Sequence, residues 1–398
     1  LQAQMGCKEG YFMINRDKKG GKNTRLICRI IFLECQKIFR NPLILLVFLT
    51  FLLINIVVVQ NAYGSQDDQK TVQRMHRVLQ AKEQGKKNSD VEVYNEYKKA
   101  YGKLYDNLDM FKIMKMKEKM SRYEPTGKYQ KFIENNYKKL QKRADEIKAN
   151  GADQADFYPG IVYFVHGTLF GKLGKKLLLE IVVLVFLTVL YLMDYERVQK
   201  TADQVFVTRC GKSTLHLKMI GGILGGLIYS ALLLLASYGW FLAKLPLKGL
   251  WKVPVSASMM AEPRFGMLNP FVTFWNVNLR SYLLLTLVMF LAIALLAGVL
   301  AGAGWYCLKN SYLVFLVLSV LLMGSVQAAL VHTTTFLDIV LAICNPGILW
   351  ITCGAWFMEN DLTLSFAGSE FCCLFGCGIL ILLLYFIGKK RFRKWELM

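Results

Sequence analysis

Apolar positions along this chain form continuous runs rather than alternating with polar ones. Stretches at 42–59, 177–193, 219–243, 282–308, 312–331 and 372–388 contain a single Asp, Glu, Lys or Arg between them, Glu180. Each approaches or exceeds the roughly 20 apolar residues that a helix needs to cross hydrocarbon. A charge at mid-helix costs about 2.5–3.5 kcal/mol on insertion, so runs this clean suit lipid better than a soluble core. The pattern predicts an all-α polytopic membrane protein with six transmembrane helices.

The polar stretches between the runs carry a helical period. Over 24–41, Leu26, Ile27, Ile30, Ile31, Cys35, Ile38 and Phe39 recur near 3.6 residues, with Arg25, Arg29 and Lys37 on the other positions. Thr24 suits a cap, and Asn41-Pro42 turns the chain into the first run. Such a helix is expected to lie in the membrane interface. Residues 60–176 hold the largest hydrophilic segment. Its sparse apolar residues make two stripes, Tyr97–Tyr101–Leu104–Tyr105–Leu108–Phe111 and Tyr129–Phe132–Ile133–Tyr137–Leu140, separated by Pro125-Thr126-Gly127. They predict an antiparallel helical hairpin forming an extracellular domain, with 85–89 as a loop. Met110 and Met114 share a face, which reads as packing.

Residues 157–173 are apolar and aromatic but broken by Pro159, Gly160, Gly167 and Gly171, so they are expected to approach the second span without crossing. Residues 194–218 form a cytoplasmic loop, and 244–281, with four prolines, an outer loop. Across 337–366 an apolar stretch is interrupted at Asn345-Pro346-Gly347. Two half-length helices around a proline describe a re-entrant hairpin before the last span.

A net charge of +21 invites a nucleic-acid reading, but the basic residues bracket the apolar runs. Tails 1–23 and 389–398 are both basic, and short positive segments stay inside. Both termini are therefore placed in the cytoplasm, the chain in the plasma membrane, and no nucleic-acid partner is expected. The ten cysteines leave 36–209 empty, which excludes a disulfide-stapled outer domain. The first apolar run starts too deep for a cleavable signal peptide. Small residues line up at Gly221, Gly222, Gly225 and Gly226, and again at Ala294, Gly298 and Gly302, spacings that allow close helix contact.

Catalytic chemistry is thin. Gly211-Lys212-Ser213 looks like the end of a phosphate-binding loop, but the leading glycine position is Phe206. His76, His166, His216 and His332 are scattered, and neither H-E-x-x-H nor G-x-S-x-G occurs. Glu180, the one carboxylate within a run, reads either as a functional intramembrane group or, so close to Lys175 and Lys176, as a salt-bridged residue at the outer interface. The chain reads as a non-enzyme with no cofactor or metal of its own.

The order of these features resembles the membrane subunit of type-two, G-type ATP-binding-cassette exporters. Glu34, Lys37 and Arg40-Asn41-Pro42 are similar to that family's approach to the first span. Glu196-Arg197, Thr201, Thr208, Gly211-Lys212-Ser213 and Lys218 are similar to its loop after the second, and Asn345-Pro346 to its broken outer hairpin. The outer domain and Cys210 depart from the pattern; the domain looks like that of bacterial members with a large first outer loop. The resemblance implies an exporter of a peptide, drug-like or lipid-like substrate, with ATP and Mg on a separate ATPase subunit. Glu34, Lys37, Arg40, Glu196, Arg197, Thr201, Thr208, Arg209 and Lys212 would couple to that ATPase. Gly221, Gly225, Gly298 and Gly302 would serve helix packing and pairing with a second permease copy, identical or not. The competing reading is a non-transporting receptor whose outer domain binds a ligand.

Overall fold

The computed structural model describes residues 20–62, 66–85, 89–121, 124–154, 165–201, 204, 211–244, 249–264, 267–331 and 334–395. Helix α1 (Gly20–Phe39) precedes α2 (Pro42–Ala62), and four polar helices follow: α3 (Gln66–Glu83), α4 (Ser89–Tyr101), α5 (Met110–Ser121) and α6 (Gly127–Ala149). A π-helical stretch, Gly167–Leu173, runs into α7 (Gly174–Val198), and α8 spans Gly211–Lys244. A small antiparallel pair, β1 (Glu262–Arg264) and β2 (Met267–Asn269), stands between α8 and α9 (Leu279–Leu308). Then come α10 (Ser311–Ala328), the short α11 (Leu337–Ile343) and α12 (Pro346–Ile351), and α13 (Ser369–Trp395).

Among the described residues six helices are long and apolar enough to cross a membrane. The chain is thus a mostly helical, multi-pass protein. The second of these helices is central: 72% of its most apolar window is buried inside the protein, against 11% for α10. On the outer rods, Leu43, Leu46 and Leu53 of α2, Leu316, Val320 and Met323 of α10 and Phe375 and Phe386 of α13 are exposed. Bare leucine and phenylalanine in such numbers fit a surface solvated by lipid.

Of residues 157–173, expected to stop short of the second span, 157–164 lie outside the described residues, and 167–173 prolong the span into one 32-residue apolar helix, Gly167–Val198. A π-type turn absorbs Gly171 without ending the helix, and Gly171 packs against Gly354. Between α2 and α7 the described residues form four α-helices in place of one hairpin. The first stripe breaks after Tyr101, and Asp109 Oδ1 accepts from the backbone N–H of Phe111 and Lys112 at 2.9 and 3.1 Å to start α5 afresh. Met110 and Met114, not Phe111, are the buried residues of α5. They join Tyr129, Ile133, Tyr137 and Leu140 of α6 in a second core.

Side-chain bonds pin this second core to the segments between the spans, 249–278 and 334–368. Tyr129 Oη reaches Asp338 at 3.1 Å and Thr363 at 2.8 Å, and Thr363 donates to Asp338 at 2.8 Å. Lys117 donates to Glu359, which also accepts from Tyr137 at 3.0 Å. Arg143 donates to the Thr273 carbonyl at 3.1 Å and Tyr105 to that of Ser256 at 2.6 Å. Burial, then the nearby Glu359 charge, pushes the Tyr137 phenol well above its ordinary pKa, so it remains a donor.

Close contacts set how the rods pack. At Gly222 an added Cβ would lie 2.7 Å from the Val189 Cα, and at Gly298 2.6 Å from Ile223. Gly221 faces Glu34, Gly225 faces Ile38 and Gly302 faces Met219. The small-residue faces therefore seat α1 and α7 against α8, and α8 against α9, within one chain. They are filled here by intramolecular neighbours, so a second copy would need other surfaces. At the break before α12, Asn345 Oδ1 caps the Gly347 N–H at 2.9 Å, with Pro346 in the first helical position where its missing N–H costs nothing. Asn345 Nδ2 also donates to the Ser325 carbonyl at 2.9 Å, tying the break to α10.

Candidate functional site

Polar side chains gather at the end of the bundle where α1, the last turn of α7 and the first turns of α8 meet. The geometry starts from how α7 ends. Lys200 adopts φ +56°, the Thr201 N–H reaches the Glu196 carbonyl at 2.8 Å and the Lys200 N–H that of Arg197 at 3.0 Å. This paired closure stops the helix and fixes Glu196 facing inward. Thr201 Oγ1 then donates to Glu196 Oε2 at 3.0 Å.

Glu196 Oε1 accepts from Lys218 of α8 and lies 3.8 Å from Lys37 Nζ of α1. Lys37 also donates to Glu34 at 2.8 Å and sits 4.5 Å from the Tyr195 ring centroid. Lys218 is only 3% exposed and Glu34 8%, while Lys37 and Glu196 are half-buried, so two carboxylates and two ammonium groups share a partly dry cluster. Charges so placed persist only when paired. Cys35 Sγ beside them contacts the Gly221 carbonyl at 3.3 Å, and burial followed by the Glu34 charge raises its thiol pKa. That makes it an inert packing group rather than a nucleophile.

One turn along, α7 is tied to the hinge between α9 and α10. Asp194 accepts from Trp305 Nε1 at 2.8 Å and from the Ser311 N–H at 2.7 Å. Arg197 donates to the Lys309 carbonyl, lies 3.7 Å from Asp194, and stands 5.5 Å from the centre of the Trp305 ring. Tyr385 of α13 meets His216 of α8 at 3.0 Å. Five long helices and α1 thus converge at this end.

Of the residues singled out from sequence, Glu34, Lys37, Glu196, Arg197 and Thr201 belong to this assembly. Arg40 is exposed at the turn into α2. Thr208 and Arg209 lie outside the described residues; Lys212 is in the first turn of α8, its side chain outside them. Lys218, Asp194, Trp305 and Ser311 complete the cluster. Only Lys218 stood out in sequence, as the charge closing the loop.

A second polar group lies within the spans. Asn55 of α2 donates to Glu180 of α7 at 2.6 Å and contacts Ser237 of α8 at 3.2 Å, and all three are at most 4% exposed. Glu180 thus finds an amide inside the bundle as its partner, in place of the expected lysine bridge. Glu180 Oε1 and Asn55 Oδ1 have no hydrogen-bond partner among the described residues. No group of three or more His, Cys, Asp or Glu placed to hold a metal occurs among them either. Compared with known proteins, the chain matches no family model, no curated protein and no solved structure.

Proposed function

We propose that this chain is the permease subunit of a type-two ATP-binding-cassette exporter, lying in the plasma membrane with both termini in the cytoplasm. The observation that carries the reading is the junction at Glu196, where Lys37 of α1, Thr201 and Lys218 of α8 meet the end of the central span. A displacement of α1 or of the segment after α7 passes through these bonds to α7, and through Asp194 and Arg197 to the α9–α10 hinge. That is what a rod-and-socket coupling to an external motor needs. The basic residues of α1 and of Lys389, Lys390 and Arg391 favour this end as the cytoplasmic one.

In this arrangement α3–α6 form an extracellular domain, and α11 and α12 a re-entrant hairpin around Asn345 and Pro346. A separate ATPase supplies ATP and Mg and receives the α1–Glu196 platform in a groove. A second permease copy completes the pathway, lipid surrounds the spans, and the cargo is a peptide, drug-like or lipid-like molecule. Phe206 stands where a phosphate-binding loop ending in Gly211-Lys212-Ser213 needs its leading glycine, which supports leaving nucleotide chemistry to the partner.

The test is Arg197→Glu in vesicles holding the permease and its ATPase, with Arg197→Lys as control. The glutamate variant hydrolyses ATP but transports poorly, while its spans stay folded. Undiminished transport removes this junction from the coupling role.

A further inference from the structure

At the opposite end of the bundle, a cleft of about 570 Å³ opens between α6 and the segment running from Phe336 to Cys372. That volume falls within the range of small-molecule sites. Its walls are of two kinds. Phe132 stands edge-on to Phe336 at 6.2 Å and to Phe366 at 5.9 Å, giving an aromatic slot. Along the same helix, one, two and three turns further on, come Asn136, Lys139 and Arg143.

Asn136 is 5% exposed, and its Nδ2 has no hydrogen-bond partner among the described residues. A buried donor without an acceptor is rare in a folded protein, and one that lines a cleft is placed to receive an oxygen from a ligand. Lys139 is exposed at the rim. Arg143 is held in place by the Thr273 carbonyl, by Asn276 and by Glu146, whose carboxylate is the one acidic group in the lining. The lining therefore carries two cations to one anion, and because Glu146 is paired with Arg143 the surplus positive charge is that of Lys139.

The apolar side of the cleft does not end at its mouth. Phe336, Leu337, Val340 and Leu341 of the neighbouring turn and α11, and Phe371 and Phe375 of α13, are all exposed. They continue the aromatic slot onto the apolar surface of the spans, so a membrane amphiphile could slide in without its tail crossing water.

The geometry points to this cleft as a binding site for an anionic amphiphile drawn from the membrane: an alkyl tail in the Phe132–Phe336–Phe366 slot, and a phosphate or carboxylate head beside Lys139 and Arg143. A head-group oxygen accepts from Asn136 Nδ2. The site stands on the cleft alone and holds whether the chain transports or merely senses, so its test involves no ATPase.

Cys372 lines the cleft and is exposed, which makes its thiol a reporter of occupancy. The protein is reconstituted in phosphatidylcholine vesicles and alkylated with N-ethylmaleimide, and the modification at Cys372 is followed by peptide mass spectrometry. Cys28, exposed on α1 at the far end, is the internal control. Dodecyl phosphate slows alkylation of Cys372 and not of Cys28, whereas inorganic phosphate and dodecanol at the same concentrations do neither. Lys139→Glu, a change at an exposed position, raises the dodecyl phosphate needed for half-protection about tenfold or more, as loss of one charge-assisted contact should. Phe132→Ala weakens protection as well. Equal protection by dodecanol, protection insensitive to Lys139→Glu, or no protection by dodecyl phosphate each overturns the proposal.

Discussion

Lys218 donates to Glu196 Oε1, and that bond joins the start of one span to the end of another across 22 residues of chain. Removing the Glu196 charge strands the buried Lys218 ammonium and costs about 3–5 kcal/mol, whereas Glu196, half-buried, keeps Thr201 and nearby Lys37 when Lys218 is removed and so loses less. Glu196→Gln should lower the thermal midpoint in detergent by several degrees, and Lys218→Met by less. The double variant should lose clearly less than the sum of the two. Additive losses would mean that the two side chains do not interact.

The Asn55–Glu180 bond makes a comparable statement inside the bilayer. Asn55→Leu leaves Glu180 with no amide donor, whereas Glu180→Gln keeps an oxygen for Asn55 and removes only the charge. Hydrogen bonds between membrane helices average about 0.6 kcal/mol, but an unsatisfied buried group costs about 1–3 kcal/mol. Asn55→Leu should therefore destabilise more than Glu180→Gln in the same unfolding assay. The reverse order would place the Asn55 amide outside the bundle.

These contacts mark where sequence reading succeeds and where it stops. Lipid forbids charge over about 20 residues, so the six spans are visible locally in composition. The α1 period is equally local. Asn55 is different: a lone polar residue in a run of leucine and valine signals nothing until Glu180, 125 positions away, is brought beside it. The stripe through Tyr97 and Phe111 misled for the opposite reason, because Asp109 restarts a helix that apolar spacing alone would continue. Gly221 and Gly225 were legible as a close-contact face, yet nothing local says that its occupant is α1 of the same chain.

Gly347 tests the packing of the proline-broken segment. A Cβ there would lie 2.5 Å from the backbone of Ser325, which cannot yield as a side-chain tip can. Gly347→Ala should destabilise by about 1–3 kcal/mol, the usual range for overpacking. Gly324→Ala, with nothing within 4 Å of the new methyl, should be neutral. Equal midpoints for the two variants would show that α12 does not lean on α10.

His166 gives the expected pH response. It is buried against Phe170, Phe271 and Tyr282, with Nε2 2.8 Å from the Gly354 carbonyl, and burial lowers its pKa from 6.5 to about 4. The unfolded chain binds the proton first, so the stability this group contributes is intact above pH 6.5 and is lost as pH falls toward 4. The thermal midpoint should fall less steeply over that window in His166→Gln, which keeps a donor and does not titrate. Parallel curves for the two proteins would place His166 in water.

The reading of Glu196 as a coupling junction is tested most directly by isolating the protein from its native membranes in mild detergent and assaying nucleotide hydrolysis. The account predicts that an ATPase chain comes with the intact protein, and that Arg197→Glu, with its spans still folded, loosens that association. Hydrolysis by the isolated polypeptide on its own, or a stable complex holding no nucleotide-hydrolysing chain, would contradict it.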